Sequence, residues 1–166
     1  GVHVDYKGNV WIGGNGEKDA HILKFTKDGK FLMQMGRLGG NKGSNDPDNF
    51  GRVAKIWVDP KTNEAYVADG YWGFYVIDIS NPASPTVRGT YTALANGGLT
   101  VSGSYVYFSD GNSGLRVVDV SDPRNPQETG RFCLSGYANG VAVSGGCAFI
   151  AYGAAGLRIA GVSDPR

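Results

Sequence analysis

GFYVIDISNPASP, residues 73–85, returns as GLRVVDVSDPRNP at 114–126 and as GLRIAGVSDPR at 156–166, at spacings of 41 and 42 residues. Each copy alternates apolar with small or polar positions and then meets a Ser/Asn/Asp/Pro turn. Such a unit at this period predicts a β-propeller blade, since one blade cannot bury both of its faces and must be stacked in an array. Working outward, four inner (A) strands align on their last valine, Val4, Val58, Val101 and Val143. The B strands read NVWIGG, EAYVAD, YVYFSD and CAFIAY, and the C strands HILKFT, GFYVIDIS, GLRVVDVS and GLRIAGVS. FLMQMG, TVRGTYT and QETGRFC supply three outer (D) strands. The fourth blade has none, because the sequence ends inside its SDPR turn. The expected fold is all-β: fifteen strands in four blades of antiparallel strands, the last blade lacking its outer strand, in one array over 1–166. Residues 36–52, rich in Gly, Asn and Asp, form an insert between the first two blades.

Composition agrees. Among 166 residues there are 27 glycines, far above the average of roughly 7%, and they stand at turns beside β-branched and aromatic runs. Sixteen basic residues against fifteen acidic ones give no clustered positive charge, so neither a nucleic acid nor a membrane surface is expected as partner. No apolar run approaches the roughly 18 residues of a membrane span, and there is no signal-peptide pattern. Cys133 and Cys147 allow one intrachain bridge, which nothing in their spacing enforces; otherwise they are two small, half-buried apolar residues.

Two styles share the chain. Residues 1 to about 71, with GVHVDYKGNVWIGG, HILKFTKDGKFLMQMG and KIWVDPKTNEAYVADGY, resemble NHL repeats. Residues from about 65 to 166, with VIDIS and VVDVS, resemble LVIVD repeats. The shared tract AYVADGYWG fits both, so the chain reads as a chimera joined there, 1–71 NHL-like and 72–166 LVIVD-like, engineered in preference to a natural recombinant.

The NHL-like part is similar to the propeller of peptidyl-α-hydroxyglycine α-amidating lyases. That resemblance implies a working role for Tyr71, in the stretch Val67-Ala68-Asp69-Gly70-Tyr71, and a zinc ion on three histidines standing just before A strands. The sequence departs from the pattern. Its later pre-strand positions are Gly97 and Asn139, and its only histidines are His3, in an A strand, and His21, opening a C strand. No catalytic residue, metal ligand or cofactor is therefore expected. Asp46 and Asp48 lack the spacing of a calcium loop and read as solvated acids. Asp69 and Asp110 recur at the B–C turn, Asp78 and Asp119 within the C strands, and both pairs are expected to accept turn N–H groups; the last blade breaks the pattern at Gly153 and Gly161. Trp11 and Trp57 are expected between blades. Trp72, in a hairpin turn, is the tryptophan open to a ligand, with Tyr71 beside it. The expected function is a non-catalytic scaffold that closes as a homodimer into an eight-bladed ring. The alternative is a propeller that binds a peptide or glycan at its channel mouth or its 36–52 loop.

Overall fold

The computed structural model describes every residue except 17, 41–45, 47, 71, 94–96, 134–135 and 165–166. Among the described residues fifteen strands fall into four antiparallel sheets. The first blade comprises β1 (Val2–Val4), β2 (Val10–Gly13), β3 (His21–Phe25) and β4 (Phe31–Gly36). The second comprises β5 (Val53–Val58), β6 (Glu64–Asp69), β7 (Gly73–Asp78) and β8 (Thr86–Tyr91). The third comprises β9 (Leu99–Ser102), β10 (Tyr105–Ser109), β11 (Leu115–Asp119) and β12 (Gln127–Phe132). The fourth has three strands, β13 (Gly140–Ser144), β14 (Cys147–Ala151) and β15 (Leu157–Gly161). This is the expected four-blade propeller array, and among the described residues the last blade has no fourth strand. A single 3-10 turn, Gly153–Ala155, is the one helical element among the described residues, and no helix there is long and apolar enough to cross a membrane.

Local chemistry sets the hairpins. In the first A–B turn Asp5 caps the bend by accepting the Lys7 and Asn9 backbone N–H groups, and Asp59 does the same for Lys61 and Thr62 in the second. Asn63 takes a left-handed φ of 55° where the first blade has Gly8 at 78°, a conformation that asparagine tolerates better than most residues. In each of the three complete blades the C–D ladder slips, at Lys24/Phe25, Val76/Ile77 and Val117/Val118. A bulge at that point bends and twists the outer strand away from a flat edge. In the second and third blades it falls at a glycine of the outer strand, Gly89 and Gly130, a residue that weakens a strand and marks a bulge.

Because side chains alternate across a strand, every blade has a leading face toward the preceding blade and a trailing face toward the next. Three separate cores result. Trp11, Ile22 and Met33 on the trailing face of blade 1 pack on Ile56, Val67 and Tyr75 on the leading face of blade 2. Tyr66, Phe74 and Val76 then pack on Leu99, Val106 and Phe108. Tyr107, Leu115 and Val117 pack on Ala148, Ile150 and Ala160. Trp11 is 1% exposed and Trp57 packs against the second core, so both tryptophans lie between blades as the pattern predicts. Adjacent A strands touch, β1 with β5, β5 with β9 and β9 with β13. Among the described residues no core joins blade 4 to blade 1.

Candidate functional site

The histidines do not build the zinc site that the lyase resemblance implies. His3 lies half-buried in β1, and burial followed by the charge of Lys55 holds its imidazole below the ordinary value. His21 opens β3 with a buried Nδ1 that lacks a hydrogen-bond partner. At the later pre-strand positions the backbones themselves are in contact. The Gly98 N–H donates to the Asn139 carbonyl at 2.9 Å, and a Cβ placed on Gly97 would stand 2.5 Å from that same oxygen. An imidazole at 97 has no room, so the residues present do not fit the ion. Among the described residues no three His, Cys, Asp or Glu side chains gather closely enough to hold a metal.

Tyr71 lies outside the described residues. Its neighbour Trp72 is half-buried rather than open. The Trp72 backbone N–H donates to the Asp69 carbonyl at 2.7 Å, and the indole lies so close over Gly51 that a Cβ there would overlap the ring. The hairpin turn and the 36–52 insert, separate in sequence, thus meet at one place. Within that insert Asp46 is buried, contrary to the solvated loop that its sequence suggested; it accepts the Asp48 N–H at 3.0 Å and the Asn49 side-chain amide at 3.2 Å. Asp48 is exposed.

The recurring aspartates divide by role. Asp78 and Asp119 accept the Ser80 and Ser121 N–H groups at 2.9 and 2.8 Å, as expected of turn acceptors. Asp69 and Asp110 do not serve their own turn. Asp69, fully buried, reaches across to the Gly51 and Arg52 N–H groups, both at 2.6 Å, and so anchors the entry to β5. Burial, against those two donors, raises its carboxyl above the ordinary range. Asp110 instead pairs with Arg116. Arg116 also bonds Glu128 at 2.7 Å, and Glu128 accepts the hydroxyl of Tyr91 from the neighbouring blade. One guanidinium therefore ties β11 to β12, and through Glu128 blade 3 to blade 2. In the last blade the place of Asp110 falls to Tyr152, not Gly153, since Ala151 pairs with Leu157 as Ser109 pairs with Leu115. Tyr152 is buried in the third core.

Asp5 carries a measurable consequence. Burial opposes its charge, but the Trp11 indole N–H at 2.9 Å and the Asn9 and Lys7 donors outweigh burial and bring its pKa from 3.8 to about 2. A carboxylate depressed on folding adds stability above its unfolded pKa and loses it as pH falls through the folded one. A shift of that size corresponds to about 2 kcal/mol. Denaturant melts should therefore show stability falling between about pH 4 and pH 2. Asp5→Asn should make that fall shallower by about 2 kcal/mol, while Asp78, whose pKa Ser80 and Arg88 also bring to about 2, keeps part of it. An unchanged acid limb in the variant would refute the assignment.

The remaining candidate surface is at the two ends of the array. The leading face of blade 1 presents Val2 and Val4, 65% and 59% exposed, with Ile12 and Phe31 also open to solvent. Their counterparts in blade 2, Ile56, Val58 and Val67, are buried in the first core. On the trailing face of blade 4, Leu157 and Ile159 are 62% and 58% exposed, whereas Leu115 and Val117 at the same places in blade 3 are buried. Both terminal faces thus carry in water the apolar positions that their counterparts inside the chain bury.

These features define a β-propeller. Its repeats are LVIVD repeats, matched at residues 51–93, 96–133 and 135–166, and the chain belongs to that family. The match opens at 51 rather than at about 65, so it takes in the whole of blades 2, 3 and 4. The comparison with curated proteins gave no match. Among solved structures the chain is similar to the computationally designed Ika4 protein, at 11% identity and a TM-score of 0.70, over 98% of this chain and 89% of that one. It is likewise similar to the computationally designed Ika8 protein, at 11% identity and a TM-score of 0.68, over 98% of this chain and 45% of that one. At such identity the likeness concerns the fold alone.

Proposed function

We propose that this chain is a non-catalytic propeller scaffold that self-assembles, two copies closing an eight-bladed ring. The observation that carries the reading is the pair of uncovered apolar faces at the two ends of the array. Three interfaces inside the chain bury such faces, and among the described residues the terminal pair alone is left in water. A head-to-tail contact that closes after two copies buries both. The test is sedimentation equilibrium at micromolar concentration. A mass twice the 17.5 kDa of the chain is expected; a single-chain mass with cooperative unfolding would favour a compact four-bladed ring instead.

The chimera belongs to the same reading. Residues 1–50 lie outside the LVIVD match and carry the NHL-like strands of blade 1. This supports a change of style at the 36–52 insert, upstream of the AYVADGYWG tract. Where blades of two styles meet, Trp11 and Met33 on one side and Ile56 and Tyr75 on the other still build a common core, as a join between two propeller fragments requires.

The absence of catalysis is tested directly. Purified protein should show no turnover of hydroxyglycine-extended peptides with or without added zinc, because no imidazole fits at position 97. Zinc-dependent turnover that disappears in Tyr71→Phe would overturn the reading. A second reading has its own observation, the meeting of Trp72 with Gly51. A peptide or glycan bound at the 36–52 loop would shift tryptophan fluorescence, and Trp72→Phe would abolish the shift.

A further inference from the structure

We infer that the ring closes by one specific heterologous contact, the trailing face of blade 4 on the leading face of blade 1 of a second copy, and that this contact buries Cys147. The inference rests on the ring reading and adds to it the residue register of the contact and the thiol that it covers. The occupant is identified by continuity with the interfaces inside the chain. At each of them a trailing face with apolar B- and C-strand residues meets a leading face with apolar A- and B-strand residues. Blade 4 reproduces the trailing half in register: Phe149 pairs with Ile159 across β14 and β15 just as Tyr107 pairs with Val117 across β10 and β11. Blade 1 reproduces the leading half. Val2 pairs with Ile12 across β1 and β2 as Ile56 pairs with Val67 across β5 and β6. Neither half resembles itself. A face-to-same-face contact would set trailing against trailing, an arrangement that none of the three cores uses.

Cys147 follows from the alternation. Ala148 and Ile150 point back into the third core, so Cys147, Phe149 and Ala151 share the outward face with Ile159 and Leu157. The thiol is free and half-buried within one chain, while Cys133 is free, exposed and on the outer rim after β12. Docking a second blade 1 covers the former and leaves the latter.

The experiment uses two single variants at exposed positions, Val2→Asp and Ile159→Asp, each checked for an unchanged strand signature by circular dichroism. Wild-type protein should sediment as two chains, each variant alone as one chain. An equimolar mixture should regain the two-chain mass, because Val2→Asp keeps a working trailing face and Ile159→Asp a working leading face. Alkylation read by peptide mass should be at least about tenfold slower at Cys147 in wild type than in either variant, with Cys133 reactive in all three. A wild-type mass of one chain would sink the ring itself. A two-chain wild type in which only one variant dissociates, or in which the mixture stays monomeric, would overturn the heterologous contact while leaving dimerisation standing. Equal Cys147 reactivity in wild type and variants would also overturn it.

Discussion

Arg116→Leu should lower the stability of the fold by about 3–5 kcal/mol, the cost of leaving one member of a buried ion pair without its partner. The Arg116 side chain is 16% exposed and that of Asp110 is 1%, so water cannot replace the lost guanidinium. Asp110 has an Oδ1 that lacks a partner even with arginine present. The substitution also frees Glu128, which holds Tyr91 of the neighbouring blade, and the damage should reach the contact between blades 2 and 3. In a chain of this size the expected fall in melting temperature is about 10 °C or more. The discriminating measurement is a double-mutant cycle. Asp110→Leu added to Arg116→Leu removes the stranded charge and should recover much of the loss, since a buried pair replaced by apolar groups is often neutral. A double variant no more stable than the single one would show that Arg116 acts through packing of its stem and not through the pair.

That network marks where sequence reading stops. Strand number, blade boundaries and the three-stranded last blade were legible because each rests on a local signal: apolar alternation for the strands, proline or glycine for the turns. The interblade tryptophans were legible for the same reason, since Trp11 and Trp57 keep their places in the alternation. Asp69 was recognised as a recurring acceptor, yet its donors Gly51 and Arg52 lie 18 and 17 residues upstream, beyond any turn-based rule. Arg116 occupies an alternating position that in an open sheet would face water. Only the stacking of blade 2 on that face buries it, and nothing local encodes the stacking. The bulges beside Ile77 and Val118 fall at Gly89 and Gly130 of the outer strands, a glycine inside a strand being the local mark of a bulge, whereas the one beside Phe25 falls at Met33 and has no such mark. At the candidate site the failure of the histidine pattern was visible in the letters, but the reason position 97 excludes a side chain, its backbone contact with Asn139, was not. Trp72 looked open because a hairpin turn usually is, and the approach of Gly51 to its indole is a tertiary event.

Extending the chain with a D strand copied from residues 125–132 should raise the melting temperature by about 5 °C, the shift that about 2 kcal/mol produces in a domain of this size, and should reduce self-association at high concentration. In the described residues β15 is the outermost strand of its sheet, so one row of its backbone N–H and C=O groups has no ladder partner, which is a template for another strand. Beside it runs a groove of about 150 Å³ whose lining includes Leu115, Val117 and Phe132 from blade 3 and Ala160 and Val162 from blade 4. In blades 1 to 3 the space next to the C strand is filled by a D strand, and the added segment would do the same here, pairing with β15 as β12 pairs with β11. The D position is at the rim of a blade, away from the A strands that line the axis, so the extension leaves the leading face of blade 1 untouched and widens the trailing face of blade 4. Ring closure and edge protection therefore separate experimentally. The proposed two-chain ring should persist in the extended protein while larger aggregates decline. The control is an extension of equal composition with proline placed at alternate positions, which cannot donate to a ladder. If both extensions leave the melting temperature and the aggregation onset where they were, the edge of β15 is already covered in solution, and a strand from a neighbouring copy is the group that covers it.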